Sequence, residues 1–171
     1  MSTPSKSSSA KPSRIPTSTS EAMDAVALLT QDHENVKALF EQFEASGEKA
    51  YASKKKLATK ICLELTKHAT AEEEIFYPAV QAIGGDTETL VDEAQVEHAA
   101  AKELIAQILS MDPQDELYDA KVKVLSEQIE HHVQEEEGEM FPKAREAGLD
   151  LVALGEAIEA RKAEVELPIS Q

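Results

Sequence analysis

A short sequence pattern that occurs twice constrains this chain more than any other feature. The first copy is His68-Ala-Thr-Ala-Glu72 and the second is His132-Val-Gln-Glu-Glu136, and in both a proline follows six residues after the glutamate. Residues four apart lie one above the other on the same face of an α-helix. Each copy can therefore direct an imidazole and a carboxylate at one point. Two such pairs facing each other across a helical bundle would form a transition-metal site.

The spacing of the apolar residues predicts an all-α protein. Apolar residues recur at steps of three and four, which indicates amphipathic helices over about residues 21–46, 50–83, 86–110 and 113–147, with a shorter fifth helix over about 150–164. No stretch shows the alternating pattern of a strand. Four long helices with short connections predict an up-down-up-down four-helix bundle, and we expect the short C-terminal helix to pack on its outside.

Local signals predict where the helices begin and bend. Ser18 and Glu21 fit a capping box at the start of the first helix, and Asp112 followed by a proline fits the start of the fourth. The proline after each repeated pattern lacks a backbone donor and should kink the end of its helix. Tyr77 and Phe141 directly precede these prolines, and we expect them to pack near the kinks.

A second repeat accompanies the first. His33 and His98 each follow an acidic residue and are each followed, four residues later, by a lysine and then by two more apolar positions. The offset from His33 to His98 is 65 residues and that from His68 to His132 is 64. The chain therefore resembles one helix pair used twice. Placed about a pseudo-twofold axis, the two pairs would bring four histidines and two glutamates together.

The residue types in this predicted cluster indicate a pair of metal ions. One inward histidine alone would be read as an ordinary core residue. Four of the chain's five histidines on apolar stripes, two with a glutamate one turn on, favour a cation, since unpaired buried polar groups are costly. Imidazole with carboxylate suits iron, manganese or zinc. Six ligands exceed one tetrahedral zinc, and two bridging glutamates would leave each octahedral ion about two open positions, as in a reactive site.

The ordered set of motifs resembles the hemerythrin-like HHE cation-binding domain family over roughly residues 25–145. The resemblance implies a non-haem di-iron centre inside a four-helix bundle, with two iron ions bridged by an oxo group or by carboxylates, and with manganese or zinc ranking behind iron. The metal ligands that the resemblance implies are His33, His68, Glu72, His98, His132 and Glu136.

Two departures from the oxygen carriers of that family bear on function. Those proteins use a further histidine one turn from the third-helix histidine, where this chain has Ala94 and Lys102, and their last carboxylate lies five residues after its histidine, which would be Glu137 here. A ligand set short of one histidine leaves the metals more open. The resemblance therefore suggests a di-iron oxidoreductase that reacts with dioxygen or peroxide, with peroxide removal as one possibility. The alternatives are a non-enzymatic module that senses or binds iron, oxygen or nitric oxide, and a metal-free interaction protein.

Several polar residues beside the patterns have two interpretations. His131 stands one position off the inward stripe and is the alternative to His132 as a ligand. Asp32 and Glu97 either orient a histidine from behind or are ordinary surface acids. Glu73 and Glu137 are either solvated acids or extra ligands.

Charge and hydropathy bound the partners and the compartment. The formal net charge of −16 argues against nucleic acid, because a binder must neutralise phosphates. No apolar run approaches the roughly 20 residues that cross a bilayer, and the first 20 residues lack the apolar core of a secretory signal. We expect a cytoplasmic protein whose ligand is a small diatomic molecule or peroxide; the redox or signalling partner stays open. Residues 1–20 are predicted to be a disordered tail rich in Ser, Thr and Pro, 21–166 the bundle, and 167–171 a C-terminal tail.

Overall fold

The computed structural model of the chain describes residues 23–167, and within this range it contains five helices and no strand. The predicted tail over 1–20 lies outside the described residues. The helices are α1 (Ala25–Ala45), α2 (residues 51–81), α3 (Asp86–Ser110), α4 (residues 118–146) and α5 (Leu151–Glu164). The first four form the bundle, and α5 packs against α1 and α2. The all-α fold and the four-helix bundle with an outer C-terminal helix are confirmed.

Helices α1 and α4 begin later in the chain than the sequence predicted, and α5 begins where it was predicted. Helix α1 begins at Ala25 and not near residue 21, because the Asp24 side chain accepts a hydrogen bond from the backbone N–H of Ala27 at 2.8 Å and so acts as the N-cap. Ser18 and Glu21 lie outside the described residues. Helix α5 begins as predicted, directly after Asp150, whose side chain caps Ala153 in the same way.

The predicted start of α4 at Asp112 is wrong, since this helix begins at Tyr118. Asp112 instead organises a turn: its side chain accepts from the N–H of Gln114 at 2.9 Å, and its own N–H donates to the Asp115 side chain at 2.9 Å. Asp and Pro favour turns as strongly as they favour helix starts, and here the turn prevails.

Each of the two long helices that carry the repeated pattern contains a π-helical turn. Helix α2 consists of α-helical Tyr51–Ala71, the π turn Glu72–Phe76 and α-helical Tyr77–Gln81; α4 consists of Tyr118–Glu135, the π turn Glu136–Met140 and Phe141–Glu146. The N–H of Tyr77 bonds to the carbonyl of Glu72, and that of Phe141 bonds to Glu136, five residues back. The proline that follows cannot donate to the carbonyl four residues back, so the wider turn absorbs the defect that we predicted as a kink.

The π turn in α2 moves the inward stripe by one residue. Phe76 and Tyr77, although adjacent, are both fully buried; Val80 is also buried, whereas Ala79, three residues after Phe76, is only half-buried. One extra residue in a turn rotates everything after it by about 100° around the helix axis. Tyr77 thereby enters the interior of the bundle.

The apolar core has two parts, separated by a layer of polar side chains. One cluster contains Val36, Phe40, Ile61, Leu65, Ile105 and Leu125 among others. The other contains Leu29, Phe76, Tyr77, Val91, Met140 and Ile158 among others. The buried histidines and glutamates of the repeated patterns lie between these clusters along every helix of the bundle. Packing on both sides therefore holds the polar layer in place.

Helix α5 approaches the start of α1 closely through Gly155. A Cβ atom at this position would lie 2.6 Å from the Met23 carbonyl oxygen, so only glycine fits. Within residues 23–167, no helix combines the length and the apolar composition that spanning a membrane requires.

Candidate metal centre

The four helices of the bundle each contribute one buried histidine to the polar layer, and the histidines meet in two pairs. His33 Nε2 lies 3.2 Å from His68 Nε2, and His98 Nε2 lies 3.1 Å from His132 Nε2. Two nitrogen ligands of one cation, each about 2.1 Å away and at right angles, would be separated by about 3.0 Å. Each pair thus has the spacing of two ligands on a single metal ion.

The two glutamates lie between the histidine pairs. Glu72 Oε1 is 2.8 Å from His68 Nε2 and 3.5 Å from His98 Nε2. Glu136 Oε1 is 3.0 Å from His132 Nε2 and 3.3 Å from His33 Nε2. Each carboxylate therefore reaches both pairs, which is the arrangement that a bridging carboxylate requires. The structure brings together all six residues that the sequence singled out.

The hydrogen bonding of Glu72 and Glu136 shows whether a cation fits between the histidine pairs. Both side-chain oxygens of Glu72 and Oε1 of Glu136 are buried without a hydrogen-bond partner, although histidine nitrogens lie close by. Burying a carboxylate oxygen without a partner costs at least about 1–3 kcal/mol. Two groups of three ligand atoms, each group lying within 4.8 Å, are available to cations: His33, His68 and Glu136 form one, and Glu72, His98 and His132 form the other. The donor set fits two metal ions.

The same crowding raises the pKa values of His68, His98 and His132. Burial alone would lower the pKa of His68, but the carboxylates of Glu72 and Asp32 raise it to about 10. Burial likewise opposes the effect of Glu72 and Glu73, which raise the pKa of His98 to about 9. Without a metal ion, protons on these imidazoles balance the carboxylate charge, and a cation would replace those protons.

Each histidine also faces a carboxylate on its Nδ1 side, away from the centre. The four distances from Nδ1 are 2.9 Å for His68 to Asp32, 3.4 Å for His33 to Glu137, 3.5 Å for His132 to Glu97 and 3.8 Å for His98 to Glu73. The first two of these contacts are hydrogen bonds, and a carboxylate so placed holds the proton on Nδ1 and turns the Nε2 lone pair inward. Nδ1 of His98 and Nδ1 of His132 form no hydrogen bond, so Glu73 and Glu97 lie beside these rings without bonding to them. Asp32 thus occupies the orienting position that the sequence suggested, and Glu97 does not.

These outer carboxylates differ between the two halves of the site. Asp32 also accepts a hydrogen bond from Lys162 on α5 at 2.5 Å. Burial raises the pKa of Asp32, but His68 and Lys162 outweigh it and hold this pKa below its usual range. Burial raises the pKa of Glu97, the equivalent residue in the other half. Lys162 was not predicted as part of the site, because α5 lies outside both repeats.

Tyr77 was expected only to pack near the proline kink, but its hydroxyl also reaches the site. Its hydroxyl donates to Glu136 Oε2 at 2.9 Å and lies 3.1 Å and 3.2 Å from Nε2 of His98 and His132. Burial and the nearby carboxylates raise the pKa of Tyr77 well above its usual value. The available signal was its position five residues after Glu72, the spacing of a π turn. In the other half Phe141 has this position, and its ring stacks on His33 with centroids 5.7 Å apart.

His131, the alternative to His132, lies on the surface. Its side chain is 66% exposed and approaches Glu135 at 3.2 Å, and together with Glu97 these residues form an outer cluster. The structure therefore places His132, and not His131, in the buried layer.

An apolar cavity of about 120 Å³ adjoins the four histidines on the side away from Tyr77. Its other lining residues are mainly aliphatic and include Val36, Leu65, Ala101, Ile105, Ile129 and Val133. The cavity leaves space next to the histidine nitrogens for a small molecule.

In this four-helix bundle, the facing helices contribute histidine and glutamate to one buried layer. This combination of fold and site is that of a helical cation-binding protein. The hemerythrin HHE cation-binding domain family matches residues 24–144, and the chain belongs to this family. The fold is similar to that of a hemerythrin HHE cation-binding domain-containing protein from Mycobacterium kansasii. That crystal structure gives a TM-score of 0.71 and 23% identity over 83% of this chain and 86% of the other.

One curated relative is longer than this chain. A DNA nickase from Nostoc sp. is 30% identical over 125 residues, which are 72% of this chain and 34% of that protein. The chain thus spans about a third of the length of this relative.

Proposed function

We propose that the chain binds two iron ions through His33, His68, Glu72, His98, His132 and Glu136, and that it reacts with peroxide or dioxygen. The observation that carries this proposal is the position of two buried carboxylates between two histidine pairs, whose Nε2 atoms lie 3.2 Å and 3.1 Å apart. Either cations or protons on the imidazoles must balance the charge of these carboxylates, and the converging Nε2 atoms suit cations. Membership of a cation-binding family supports the metal, and the donor set of imidazole and carboxylate favours iron, with manganese or zinc behind it.

The number of ligands supports a reactive site. If Glu72 and Glu136 were shared between both positions, each ion would have two imidazoles and two carboxylate oxygens, about four of the six positions of an octahedron. The cavity beside the histidines gives a small ligand access to the remaining positions. A purely structural site would instead be closed by protein ligands.

The reaction that this arrangement suits best is reduction of a peroxide. It requires two electrons and two protons to break one O–O bond, and two divalent iron ions would supply the two electrons. The chain contributes the surroundings: the aliphatic cavity wall excludes water, Asp32 holds a proton on Nδ1 of His68, and Tyr77 keeps a proton on its hydroxyl beside Glu136. Tyr77 is thus placed to orient Glu136 and to donate a hydrogen bond within the site.

Metal analysis combined with spectroscopy and a peroxide assay tests the proposal. We expect about two irons per purified chain, an absorption band in the near ultraviolet, and consumption of added hydrogen peroxide. Protein loaded with two irons that is inert to both peroxide and dioxygen would refute the enzymatic proposal. Reversible binding of oxygen or nitric oxide without turnover would favour the alternative, a module that senses or binds these ligands.

These observations do not support DNA nicking, the activity in the name of the Nostoc relative, as a function of this chain. The chain corresponds to only 34% of that protein. Its net charge of −16 opposes contact with a phosphate backbone.

A further inference from the structure

The cavity beside the histidine layer is larger than a diatomic ligand or hydrogen peroxide needs. A water molecule has a share of about 30 Å³ in the liquid, and a dry apolar cavity of about 150 Å³ accepts benzene. The cavity here measures about 120 Å³, which suits an apolar group of about four carbon atoms. Because all four histidines line it, a molecule inside would have one end at the candidate metal centre.

A surface groove leads toward this cavity. The groove lies between α1 and α4, has a volume of about 460 Å³, and shares His33, Ile129 and Val133 with the cavity lining. These three side chains therefore form the wall between groove and cavity. Six glutamates and two lysines line the groove, so it repels anions and admits neutral molecules.

From this size, apolar lining and charge we propose that the site accepts small neutral organic hydroperoxides, with a branched alkyl group of about four carbons in the cavity and the peroxide group at the histidine layer. The inference rests on the proposed peroxide chemistry and specifies its substrate class. Hydroperoxides of long-chain carboxylic acids are excluded twice, by the cavity volume and by the acidic groove.

The reaction is a two-electron reduction. The O–O bond of ROOH breaks, and with two electrons and two protons the products are the alcohol ROH and water. A small-molecule reductant of the ascorbate or thiol class supplies the electrons over a full turnover. The alkyl group is unchanged, so the cavity has to hold it but performs no chemistry on it.

Xenon tests the cavity itself, independently of any turnover. Crystals of the full chain pressurised with xenon should show an atom between Val36, Ile105 and Val133. Ala101→Leu fills the cavity and should exclude xenon. The matched control is Ala100→Leu, at an exposed position on the same helix, which should keep xenon. An unmodified chain that takes up no xenon would overturn the inference.

Substrate comparison tests the assignment to organic hydroperoxides. For the iron-loaded chain we expect tert-butyl hydroperoxide to be consumed with a kcat/KM at least tenfold above that of the bulkier cumene hydroperoxide. Ala101→Leu should lower kcat/KM for tert-butyl hydroperoxide at least tenfold more than it lowers that for hydrogen peroxide, whereas Ala100→Leu should change neither. Ile129→Ala enlarges the cavity and should raise consumption of cumene hydroperoxide, so the test does not depend on one variant folding.

The outcomes separate the two proposals. Consumption of hydrogen peroxide with tert-butyl hydroperoxide untouched would overturn the organic substrate and leave the proposed function standing. Consumption of neither peroxide by the chain loaded with two irons would overturn both.

Discussion

The chemistry of the buried layer depends on the carboxylate oxygens of two residues, Glu72 and Glu136. Glu72 and Glu136 are at most 1% exposed, yet three of their four oxygens accept no hydrogen bond. The sequence predicted both residues because each stands four positions after a histidine. It did not predict Tyr77, because regular helical spacing points Phe76 inward and the π turn adds Tyr77. Periodicity finds residues on a regular helix and misses those that a local defect brings inside.

The histidine layer predicts a contrast between two variants. In His68→Ala one candidate metal position loses an imidazole, so we expect iron per chain to fall from about two to one or fewer, with a lower Tm for the iron-loaded protein. In His131→Ala the lost side chain is exposed, so metal content and Tm should stay unchanged. Metal analysis and thermal unfolding of both variants check this. Equal losses in the two would show that the histidine layer does not bind the metal.

Tyr77→Phe removes the one hydroxyl that donates to Glu136 Oε2. Leaving this buried oxygen without a donor should lower the free energy of unfolding of the metal-free protein by about 1–3 kcal/mol. Denaturant unfolding measures the change. Tyr51→Phe, at the half-buried start of α2 and far from the site, is the matched control and should have little effect. A Tyr77→Phe protein as stable as the unmodified chain would contradict the role of this hydrogen bond.

At the level of whole elements, the five helices were predictable and their connections were less so. The apolar spacing predicted the ends of α2, α3 and α5 closely. It failed at the start of α4, where Asp112 forms a turn, because the same residue types suit a turn and a helix cap. The position of α5 against α1 and α2 could not be derived in detail, since it depends on tertiary contacts such as the backbone approach at Gly155.

The contacts of α5 predict that substitutions at two adjacent residues, Arg161 and Lys162, have different effects on metal affinity. Lys162 holds Asp32, which in turn orients His68, so Lys162→Gln should weaken binding at one of the two metal positions about tenfold, the low end of the range for partners of a ligand. Arg161→Gln breaks the ion pairs of Arg161 with Glu74 and Glu164, neither of which pairs with a histidine. Metal titrations against a competing chelator compare them. Equal affinities in both variants would limit Lys162 to a structural role.

On the scale of the whole molecule, the two repeats form two like helix pairs, α1 with α2 and α3 with α4, and the two halves of the site differ in specific residues. Tyr77 corresponds to Phe141, and Asp32 with its lysine corresponds to Glu97. The sequence repeat predicted the shared part, the four histidines and two glutamates in one layer. It could not predict the difference between the halves, since Lys162 comes from a helix that has no counterpart in the other repeat.

The charge of the buried layer makes stability and metal binding respond to pH in opposite directions. The pKa values of His68 and His98, about 10 and about 9, lie above the roughly 6.5 of an unfolded histidine. The stability that these protonated imidazoles give the metal-free protein is therefore complete below about pH 6.5 and is lost as pH rises toward 9 and 10. Metal binding requires the neutral imidazoles, so its apparent affinity should strengthen over the same range.

The measurement is Tm with and without bound metal from pH 6 to 9.5, with zinc as the probe because it undergoes no redox change. We expect Tm of the metal-free chain to fall across this range and the increase in Tm on adding zinc to grow, because fewer protons have to be displaced at higher pH. His131→Ala should follow the same curves, since its side chain is outside the layer. An increase in Tm that is the same at pH 6 and pH 9 would mean that zinc displaces no protons, and hence that it binds away from these histidines.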